Sequence, residues 1–283
     1  MRIEAPAKLN LCLFLGRRRV DGLHALCSLF EPLALADGIE ISEATSDEVV
    51  CPEVDGENLA TRALAALREH GWDHPPLRAE IEKRIPVAAG LGGGSADAAA
   101  ILRLARDSAG GASERIPNLA AIAAELGADV PSQLDPALAL VRGAGERVER
   151  LPAPASHAVL LLPGGGGLST AGVFAEADRL GLGRGDAELD GLAVQLRQAA
   201  GAGASPLEYR DLLANDLEPA ARSLRPEIGE ALDALREAGA PLTLLTGSGP
   251  TAFGLFPDLR AAETAASALD RDDAIVCAAG GAA

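Results

Sequence analysis

The segment PVAAGLGGGSADAA, residues 86–99, joins a glycine-dense loop directly to the start of an alanine-rich helix. Glycine can adopt positive φ and lets a ligand approach the backbone, while the first N–H groups of a helix lack partners within that helix. Those N–H groups and the helix dipole favour an anion. A plain turn needs a single glycine, so this loop predicts a phosphate site built on Gly90, Gly92, Gly93 and Gly94.

Ser95 follows these glycines at the predicted hinge between loop and helix. Its hydroxyl is placed either to cap the helix or to reach a phosphate or its Mg²⁺. The loop is not a Walker loop, which requires Gly-Lys-Ser/Thr, and it lacks the spacing of a dinucleotide-binding fingerprint after a strand. The glycines therefore predict phosphate binding without naming the nucleotide.

Lysine occurs only at Lys8 and Lys83 in a chain with 25 lysine and arginine residues together. Either chance left these two lysines, or the positions need a compact ammonium, which the planar guanidinium of arginine does not imitate. Residues 7–15, AKLNLCLFL, alternate as a strand, so Lys8 and Asn10 share one face. A solvated strand position is the alternative for Lys8, and the shared face with Asn10 favours a site.

Asp129 precedes Pro131 in the segment GADVPSQL, after a predicted helix that ends at Gly127. This position suits the cap of a short helix. Periodicity and turn residues predict further helices at 59–70, 169–180, 187–200, 206–239 and 258–269, and strands at 77–85, 157–162, 241–246, 251–256 and 273–278. The proline- and alanine-rich segment 150–156 predicts a boundary between domains 1–152 and 153–283, and the mixture of elements predicts an α+β fold.

Composition excludes several classes of protein. The net charge of −16 argues against a nucleic-acid partner, because phosphate-backbone binding requires a clustered basic surface. No segment has the apolar length of a membrane span, and the first residues lack a signal core, so the sequence predicts a cytoplasmic protein. The four cysteines are scattered, which supports neither a disulfide framework nor a zinc site. Aromatic residues make up 2% of the chain, so an exposed one would be informative.

The order of its motifs makes the chain resemble the GHMP kinases over nearly its whole length. These motifs are APAKLNLCL at 5–13, DGLH at 21–24, ENL at 57–59, PVAAGLGGGSADAA at 86–99, GADVP at 127–131, STAGVF at 169–174, NDLE at 215–218 and GSGPTAFGLF at 247–256. The resemblance implies a two-domain α+β fold. Its N-terminal ATP-binding domain would be of the ribosomal protein S5 domain 2-like type, and its C-terminal domain ferredoxin-like.

The same resemblance implies a kinase of isoprenoid precursor biosynthesis, with ATP and Mg²⁺ as cofactors. The γ-phosphoryl group of ATP would pass directly to the C2 hydroxyl of the methylerythritol unit of a cytidine diphosphate ester. Asp129 would be the general base, and Lys8 would keep that carboxylate ionised and stabilise the charge of the transferring group. The protein ligands of Mg²⁺ and the choice between monomer and homodimer are left open.

The resemblance also assigns binding residues. Asn58 and Lys83 would lie near the adenine, and the phosphate loop would comprise Pro86, Gly90, Leu91, Gly92, Gly93, Gly94, Ser95 and Ala96. Asn10 and His24 would contact the cytidine diphosphate ester, Phe174 would stack on cytosine, and the turn of Gly247, Ser248 and Gly249 would close over the phosphates. The alternatives are a helix cap for Asn58, a position that tolerates any cation for Lys83, a turn histidine for His24, a core position for Phe174 and an ordinary hairpin for the turn.

The chain departs from the family pattern at two places. Leu23 replaces a tyrosine that usually completes an aromatic sandwich around cytosine, and Ser132 and Gln133 stand where aromatic residues are frequent. These departures keep open a GHMP kinase for another small alcohol, of the homoserine or mevalonate type. A catalytically silent regulatory protein on the same fold is a third hypothesis.

Overall fold

The structure is a computed structural model that describes residues 1–54, 56–108 and 118–280. Among these residues the chain forms two compact units, each drawn from separate segments. Unit 1 contains Met1–Ala7, Leu35–Val87 and Gly92–Pro136, and unit 2 contains Lys8–Ala34, Ala88–Leu91 and Ala137–Ala283. The predicted domains 1–152 and 153–283 are contiguous stretches of sequence, and that division stays a prediction.

Helices and strands are both abundant in the described chain, as predicted for an α+β protein. The strands are β1 (Arg2–Arg18), β2 (His24–Glu43), β3 (Glu48–Val50), β4 (Leu77–Glu82), β5 (Ala139–Gly143), β6 (Arg147–Arg150), β7 (His157–Leu162), β8 (Leu242–Leu245), β9 (Ala252–Phe256) and β10 (Ile275–Ala279). The helices are α1 (Leu59–Glu69), α2 (Gly93–Ser108), α3 (Leu119–Leu126), α4 (Val130–Gln133), α5 (Thr170–Leu180), α6 (Asp186–Ala200), α7 (Glu218–Leu224), α8 (Glu227–Glu237) and α9 (Leu259–Ala268).

Unit 1 packs alanine-rich helices with a small sheet. The C-terminal half of β2 pairs antiparallel with β4, from Gly38 opposite Glu82 to Glu43 opposite Leu77, and β3 runs parallel to β4. Helix α1 buries Ala60, Ala63, Leu64 and Leu67 on one face. These residues share one core with the buried alanines of α2, whose small side chains allow helices to approach closely. The sheet and α2 together position the two ends of the glycine loop.

Unit 2 is built on an antiparallel sheet with the strand order β10-β7-β9-β8. Its central strand β7, HAVLLL, is buried at every residue, as its continuous apolar run predicts. Leucine and alanine side chains of α5, α7, α8 and α9 complete this core. The N-terminal half of β2 pairs with β5, which pairs with β6. A hairpin between β8 and β9 carries the predicted GSGPT turn.

The structure confirms most of the predicted elements and corrects one. The helical region predicted at 206–239 is divided into a 3₁₀ helix at Pro206–Leu212, α7 and α8. The break has a physical reason, since Pro226 stands between α7 and α8 and cannot donate a backbone hydrogen bond. Residues 213–217, between the 3₁₀ helix and α7, instead bond to β1.

The structure shows where the few aromatic side chains lie and whether the cysteines are paired. Six of the seven aromatic side chains are buried, and Phe174 is the partly exposed one. The cysteines are free thiols, of which Cys12, Cys27 and Cys277 are buried. Among the described helices, none combines the length and the apolar character that crossing a membrane requires.

Candidate active site

Helix α2 begins within the glycine segment, about one turn earlier than predicted. Helix α2 starts at Gly93, and the Ala96 N–H donates to Gly92 O at 2.9 Å. Ser95 therefore lies within the first helical turn, and its predicted place at the hinge is wrong. The N–H groups of this first turn point out of the helix end, which keeps the loop suited to an anion.

The loop glycines divide into two kinds. Gly90 and Gly92 have φ of +79° and +71°, the left-handed region in which glycine is favoured. Gly93 and Gly94 are helical instead. At Gly93 the absence of a side chain has another reason, because a Cβ atom would lie 3.2 Å from both Lys83 Nζ and Ile85 Cγ2.

Lys83 is held between two buried carboxylates of unit 1. Its Nζ donates to Asp97 Oδ2 at 2.8 Å and to Asp37 Oδ2. Asp37 is fully buried, and its other oxygen accepts from the backbone N–H groups of Arg84 at 2.6 Å and Ile85 at 2.8 Å. This ionic clamp, Asp37–Lys83–Asp97, joins the segment before the glycine loop to the helix after it.

Two groups of the clamp, Asp97 and Lys83, have pKa values shifted from their ordinary values. Burial raises the pKa of Asp97 to about 6, against the opposing pull of the Lys83 ammonium. Burial works to lower the pKa of Lys83, but the carboxylates of Asp97 and Asp37 outweigh it and hold that pKa above its ordinary value. Asp97 Oδ1 is buried without a hydrogen-bond partner, which favours the protonated acid.

Two other predicted residues of unit 1 have different local roles. Asn58 caps α1, since its Oδ1 accepts from Thr61 N at 2.9 Å, as the alternative for this residue predicted. Its contact with adenine stays a prediction. Asp129 occupies the cap position of α4 but makes no side-chain capping bond there, so helix capping does not account for this carboxylate.

Lys8 and Asn10 lie side by side in unit 2, as the alternation of β1 predicted. Lys8 is 6% exposed, and its Nζ donates to Asn10 Oδ1 at 2.6 Å and lies 4.9 Å from the centre of the Phe30 ring. Asn10 is also buried, and its Nδ2 donates to Ser28 Oγ at 3.0 Å. Its backbone N–H donates to Thr246 Oγ1 at 3.0 Å. The lysine is therefore coupled to the GSGPT turn through Asn10.

That turn lies against the middle of the glycine loop. A Cβ atom at Gly90 would lie 2.7 Å from Gly249 O and 3.3 Å from Thr246 O. A Cβ at Gly247 would lie 3.3 Å from Asn10 Oδ1 and 3.7 Å from Lys8 Nζ. The two glycine turns pack backbone to backbone beside the ammonium, which is an arrangement suited to binding phosphate oxygens.

His24 and Phe174 also come together in unit 2. Their rings are 5.2 Å apart between centroids, with 41° between the planes. His24 Nε2 lies 2.8 Å from Asp178 Oδ1, a partner that the sequence did not indicate. Leu23 is 56% exposed, whereas Ser132 and Gln133 are buried in α4 of unit 1. Ser132 donates to Asp129 O at 2.7 Å and Gln133 donates to Pro6 O at 3.2 Å.

The predicted site residues fall into both compact units. Unit 2 brings together Lys8, Asn10, Gly90, Leu91 and the turn of Gly247, Ser248 and Gly249, and it pairs His24 with Phe174. Unit 1 holds Asn58, Lys83, Pro86, Gly92, Gly93, Gly94, Ser95, Ala96 and Asp129. The pairing of Lys8 with Asp129 stays a prediction.

Besides Asp97 and Asp178, sequence reasoning missed three polar residues that organise the site. They are Asp37, Thr246 and Asn215, and all three are buried. Asn215 lies in the NDLE motif, which the sequence singled out without a role. Asp37 had no signal, since its partners lie 46 to 48 residues further along the chain.

Comparison with protein families gives two matches in chain order. The N-terminal domain of GHMP kinases matches residues 58–143, and the C-terminal domain of GHMP kinases matches residues 194–274. Curated relatives match along most of the chain. One from Anaeromyxobacter sp. is 40% identical over 94% of this chain and 83% of its own length, and one from Methylorubrum extorquens is 41% identical over 94% and 93%. Both are named 4-diphosphocytidyl-2-C-methyl-D-erythritol kinase.

Solved structures agree with this match. A crystal structure of 4-(cytidine 5'-diphospho)-2C-methyl-D-erythritol kinase has a TM-score of 0.80 and 34% identity, and covers 100% of both chains. A homoserine kinase from Cytophaga hutchinsonii has a TM-score of 0.71 at 19% identity, over 99% of this chain and 95% of that one, and indicates the fold alone.

Proposed function

This chain belongs to the GHMP kinase family, and from that membership we propose that it phosphorylates 4-diphosphocytidyl-2-C-methyl-D-erythritol with ATP. The acceptor is the C2 hydroxyl, and the reaction serves the non-mevalonate formation of isoprenoid precursors. The observation that carries the proposal is about 40% identity along 94% of the chain to relatives of that name. The chain is an ATP-dependent small-molecule kinase with an alcohol acceptor.

Asp129 and Lys8 are the proposed catalytic residues. Asp129 takes the proton of the acceptor hydroxyl as its oxygen attacks the γ-phosphorus, and the bond from that phosphorus to the β,γ-bridging oxygen breaks to release ADP. Asp129 is assigned this role by its place in the GADVP motif, residues 127–131. Lys8 stabilises the negative charge on the transferring group, and its buried ammonium beside Gly247 supports that assignment.

The two glycine segments are proposed to bind the triphosphate. Gly90 and Leu91 lie in the part of the loop that packs beside the turn, and Gly247, Ser248 and Gly249 form that turn. Ser248 Oγ lies 3.0 Å from Thr170 Oγ1, which orients the hydroxyl at the start of α5. In unit 1 the first turn of α2 offers further N–H donors, from Gly93 to Ser95.

Mg²⁺ is proposed to accompany the nucleotide. Within the described ranges, no three histidine, cysteine, aspartate or glutamate side chains cluster as a metal site. Proteins commonly bind Mg²⁺ through one or two groups together with substrate phosphates and water. Ser95, half-buried in the first turn of α2, is the residue placed to hold it. When bound, the ion neutralises charge on the phosphate oxygens.

The cytidine end is assigned to His24, Phe174 and Leu23, together with Asn10. Phe174 supports this because it is the partly exposed aromatic side chain of the chain, and its ring meets His24. Leu23 offers no aromatic face, although its exposure leaves room for one. Because stacking on a base contributes about 1 to 3 kcal/mol in nucleic-acid complexes, Leu23→Tyr should lower KM for the cytidine substrate by about tenfold.

The kinases for other alcohols are less well supported. Homoserine and mevalonate kinases match this chain at 14% to 21% identity, which indicates the fold alone. A silent regulatory protein would not require the buried Lys8 and the glycine turns packed beside it. A cytoplasmic location and a monomer or homodimer stay predictions.

The proposed function is tested by ATP turnover with Mg²⁺ and each of three acceptors. We expect turnover with 4-diphosphocytidyl-2-C-methyl-D-erythritol and none with mevalonate or homoserine. Asp129→Asn should reduce kcat by about 10²- to 10⁴-fold, the usual contribution of a general base. Turnover of another alcohol alone would contradict the substrate assignment, and an Asp129→Asn variant with parental kcat would contradict the base.

A further inference from the structure

Asn215, the first residue of the NDLE motif, is 7% exposed, and both its side-chain nitrogen and its side-chain oxygen form hydrogen bonds. Its Nδ2 donates to Leu245 O at 2.6 Å and to Gly247 O at 2.8 Å. Its Oδ1 accepts from Leu217 N at 2.9 Å. An amide group has two N–H donors, and here each meets a backbone carbonyl.

The two carbonyls flank Thr246, the residue that connects the turn to β1. Thr246 Oγ1 accepts from Asn10 N at 3.0 Å, and Asn10 Oδ1 accepts from Lys8 Nζ at 2.6 Å. The backbone on both sides of Thr246 is therefore fixed by Asn215. The connection from Asn215 to the Lys8 ammonium therefore runs through a backbone carbonyl, the Thr246 hydroxyl, and the backbone N–H and amide oxygen of Asn10. All four groups are neutral.

The backbone of the Asn215 segment is in turn fixed to β1. Leu13 N donates to Ala214 O at 2.8 Å, and Asp216 N donates to Leu13 O at 2.8 Å. Lys8 and Asn10 belong to the same strand. Asn215 thus joins β1 to the GSGPT turn. The backbone of its neighbours Ala214 and Asp216 bonds to β1, and its own side-chain amide bonds to the turn.

We propose that Asn215 is a positioning residue for the phosphoryl-transfer site. It fixes the turn of Gly247, Ser248 and Gly249 against β1 and, through Thr246 and Asn10, sets the position of Lys8 Nζ. The effect of this positioning on catalysis rests on the proposed function, in which Lys8 stabilises the charge of the transferring phosphoryl group. The positioning itself concerns only contacts within unit 2.

Asn215→Asp separates the positioning role from helix capping. Aspartate has the same shape and keeps an oxygen for Leu217 N, but it replaces the donating amide with a carboxylate oxygen facing two carbonyls. Asn118→Asp is the matched control, since Asn118 also accepts a backbone N–H bond at the start of a helix, α3, and has no part in the site.

The kinetic test compares these variants with the parent under saturating Mg²⁺. A small displacement of a catalytic group costs up to about 100-fold, so Asn215→Asp should lower kcat by about 10- to 100-fold while KM for ATP changes less than about threefold. Asn118→Asp should retain the parental kcat. An Asn215→Asp variant with parental kcat overturns the proposal.

A second measurement needs no substrate, because the chain contains only the lysines Lys8 and Lys83. Labelling with ¹⁵N-lysine gives two backbone amide signals, assigned by Lys8→Arg. In Asn215→Asp the Lys8 signal should move while the Lys83 signal, from unit 1, should not. An unmoved Lys8 signal in folded protein overturns the proposal.

If both signals move, Asn215→Asp has disturbed the fold generally, and Thr246→Val decides instead. This variant removes the hydroxyl that accepts from Asn10 N, and it should move the Lys8 signal alone. An unmoved Lys8 signal then overturns the proposal. A parent that fails to phosphorylate the cytidine substrate would refute the proposed function and leave this measurement intact.

Discussion

Lys8 is buried and Lys83 is half-buried with a side chain that is 7% exposed, yet their surroundings differ in kind. Lys83 in unit 1 forms salt bridges with Asp37 and Asp97. Lys8 in unit 2 donates to the neutral amide oxygen of Asn10 and lies over the Phe30 ring. The ionic clamp stabilises the ends of the glycine loop through charge. The Lys8 side chain is instead linked to the GSGPT turn by neutral groups, the Asn10 amide and the Thr246 hydroxyl.

This contrast has consequences for pH and for geometry. An ionic clamp with a carboxyl whose pKa is about 6 responds to proton concentration near neutrality. The amide, hydroxyl and backbone groups that link Lys8 to the turn do not titrate, so this link depends on distances and packing. We therefore expect changes in the Asp37–Lys83–Asp97 clamp to appear first in stability, and changes around Lys8 to appear first in kcat.

The largest expected effects come from replacing each lysine by methionine. Lys8→Met should reduce kcat by about 10³-fold, because the ammonium is proposed to stabilise charge in the transition state. Lys83→Met leaves two buried carboxylates without their cation and should lower the free energy of unfolding by about 3 kcal/mol. Steady-state kinetics and urea unfolding of both variants provide the comparison.

Each lysine variant serves as the control for the other. A Lys83→Met variant with unchanged unfolding free energy, or a Lys8→Met variant that loses stability but keeps its kcat, would remove the distinction between the two regions.

Gly90→Ala tests whether the neutral region depends on close backbone packing. Gly90 has φ of +79°, and an added Cβ would lie 2.7 Å from Gly249 O, so the turn must shift. We expect kcat/KM for ATP to fall by about 100-fold. Gly191→Ala in α6 is the control, because its Cβ would meet nothing within 4 Å. It should keep full activity and gain about 0.5 to 1 kcal/mol of stability. Equal activity of the two variants would contradict this view of the turn.

Asp97→Asn tests whether Asp97 is the titrating group of the ionic clamp. The pKa of Asp97 rises from 3.8 to about 6 on folding, so the folded state binds the proton more tightly. This contribution to stability is fully present below pH ~4 and is lost as the pH rises through about 6. At about 1.4 kcal/mol per pKa unit, the parent should lose up to about 3 kcal/mol relative to Asp97→Asn over that range.

Urea unfolding of parent and Asp97→Asn at several pH values from 4 to 8 measures this difference. The carboxylates with lowered pKa values are common to both proteins and cancel in the subtraction. A difference in unfolding free energy that stays constant with pH would exclude Asp97 as the titrating group of the clamp.

Local sequence signals predicted the elements that depend on neighbours in the chain. Gly127 ends α3 as predicted, and alternation placed Lys8 beside Asn10. Local signals failed at Ser95, because Gly93 and Gly94 continue the helix despite their poor helix propensity. They also failed across 206–239, where the Asn215 segment bonds to Leu13 of β1 instead of forming helix.

By itself, the sequence determined the family, the kinase chemistry and the residue types at the phosphate loop, because motif order and glycine placement are encoded locally. The tertiary structure alone decided the partners of those residues. Asp37 reaches Lys83, and Asn215 reaches Gly247, across 46 and 32 residues of chain. Such pairs form only when strand register and packing bring distant segments together, and burial then makes each unmatched polar group costly enough to fix its partner.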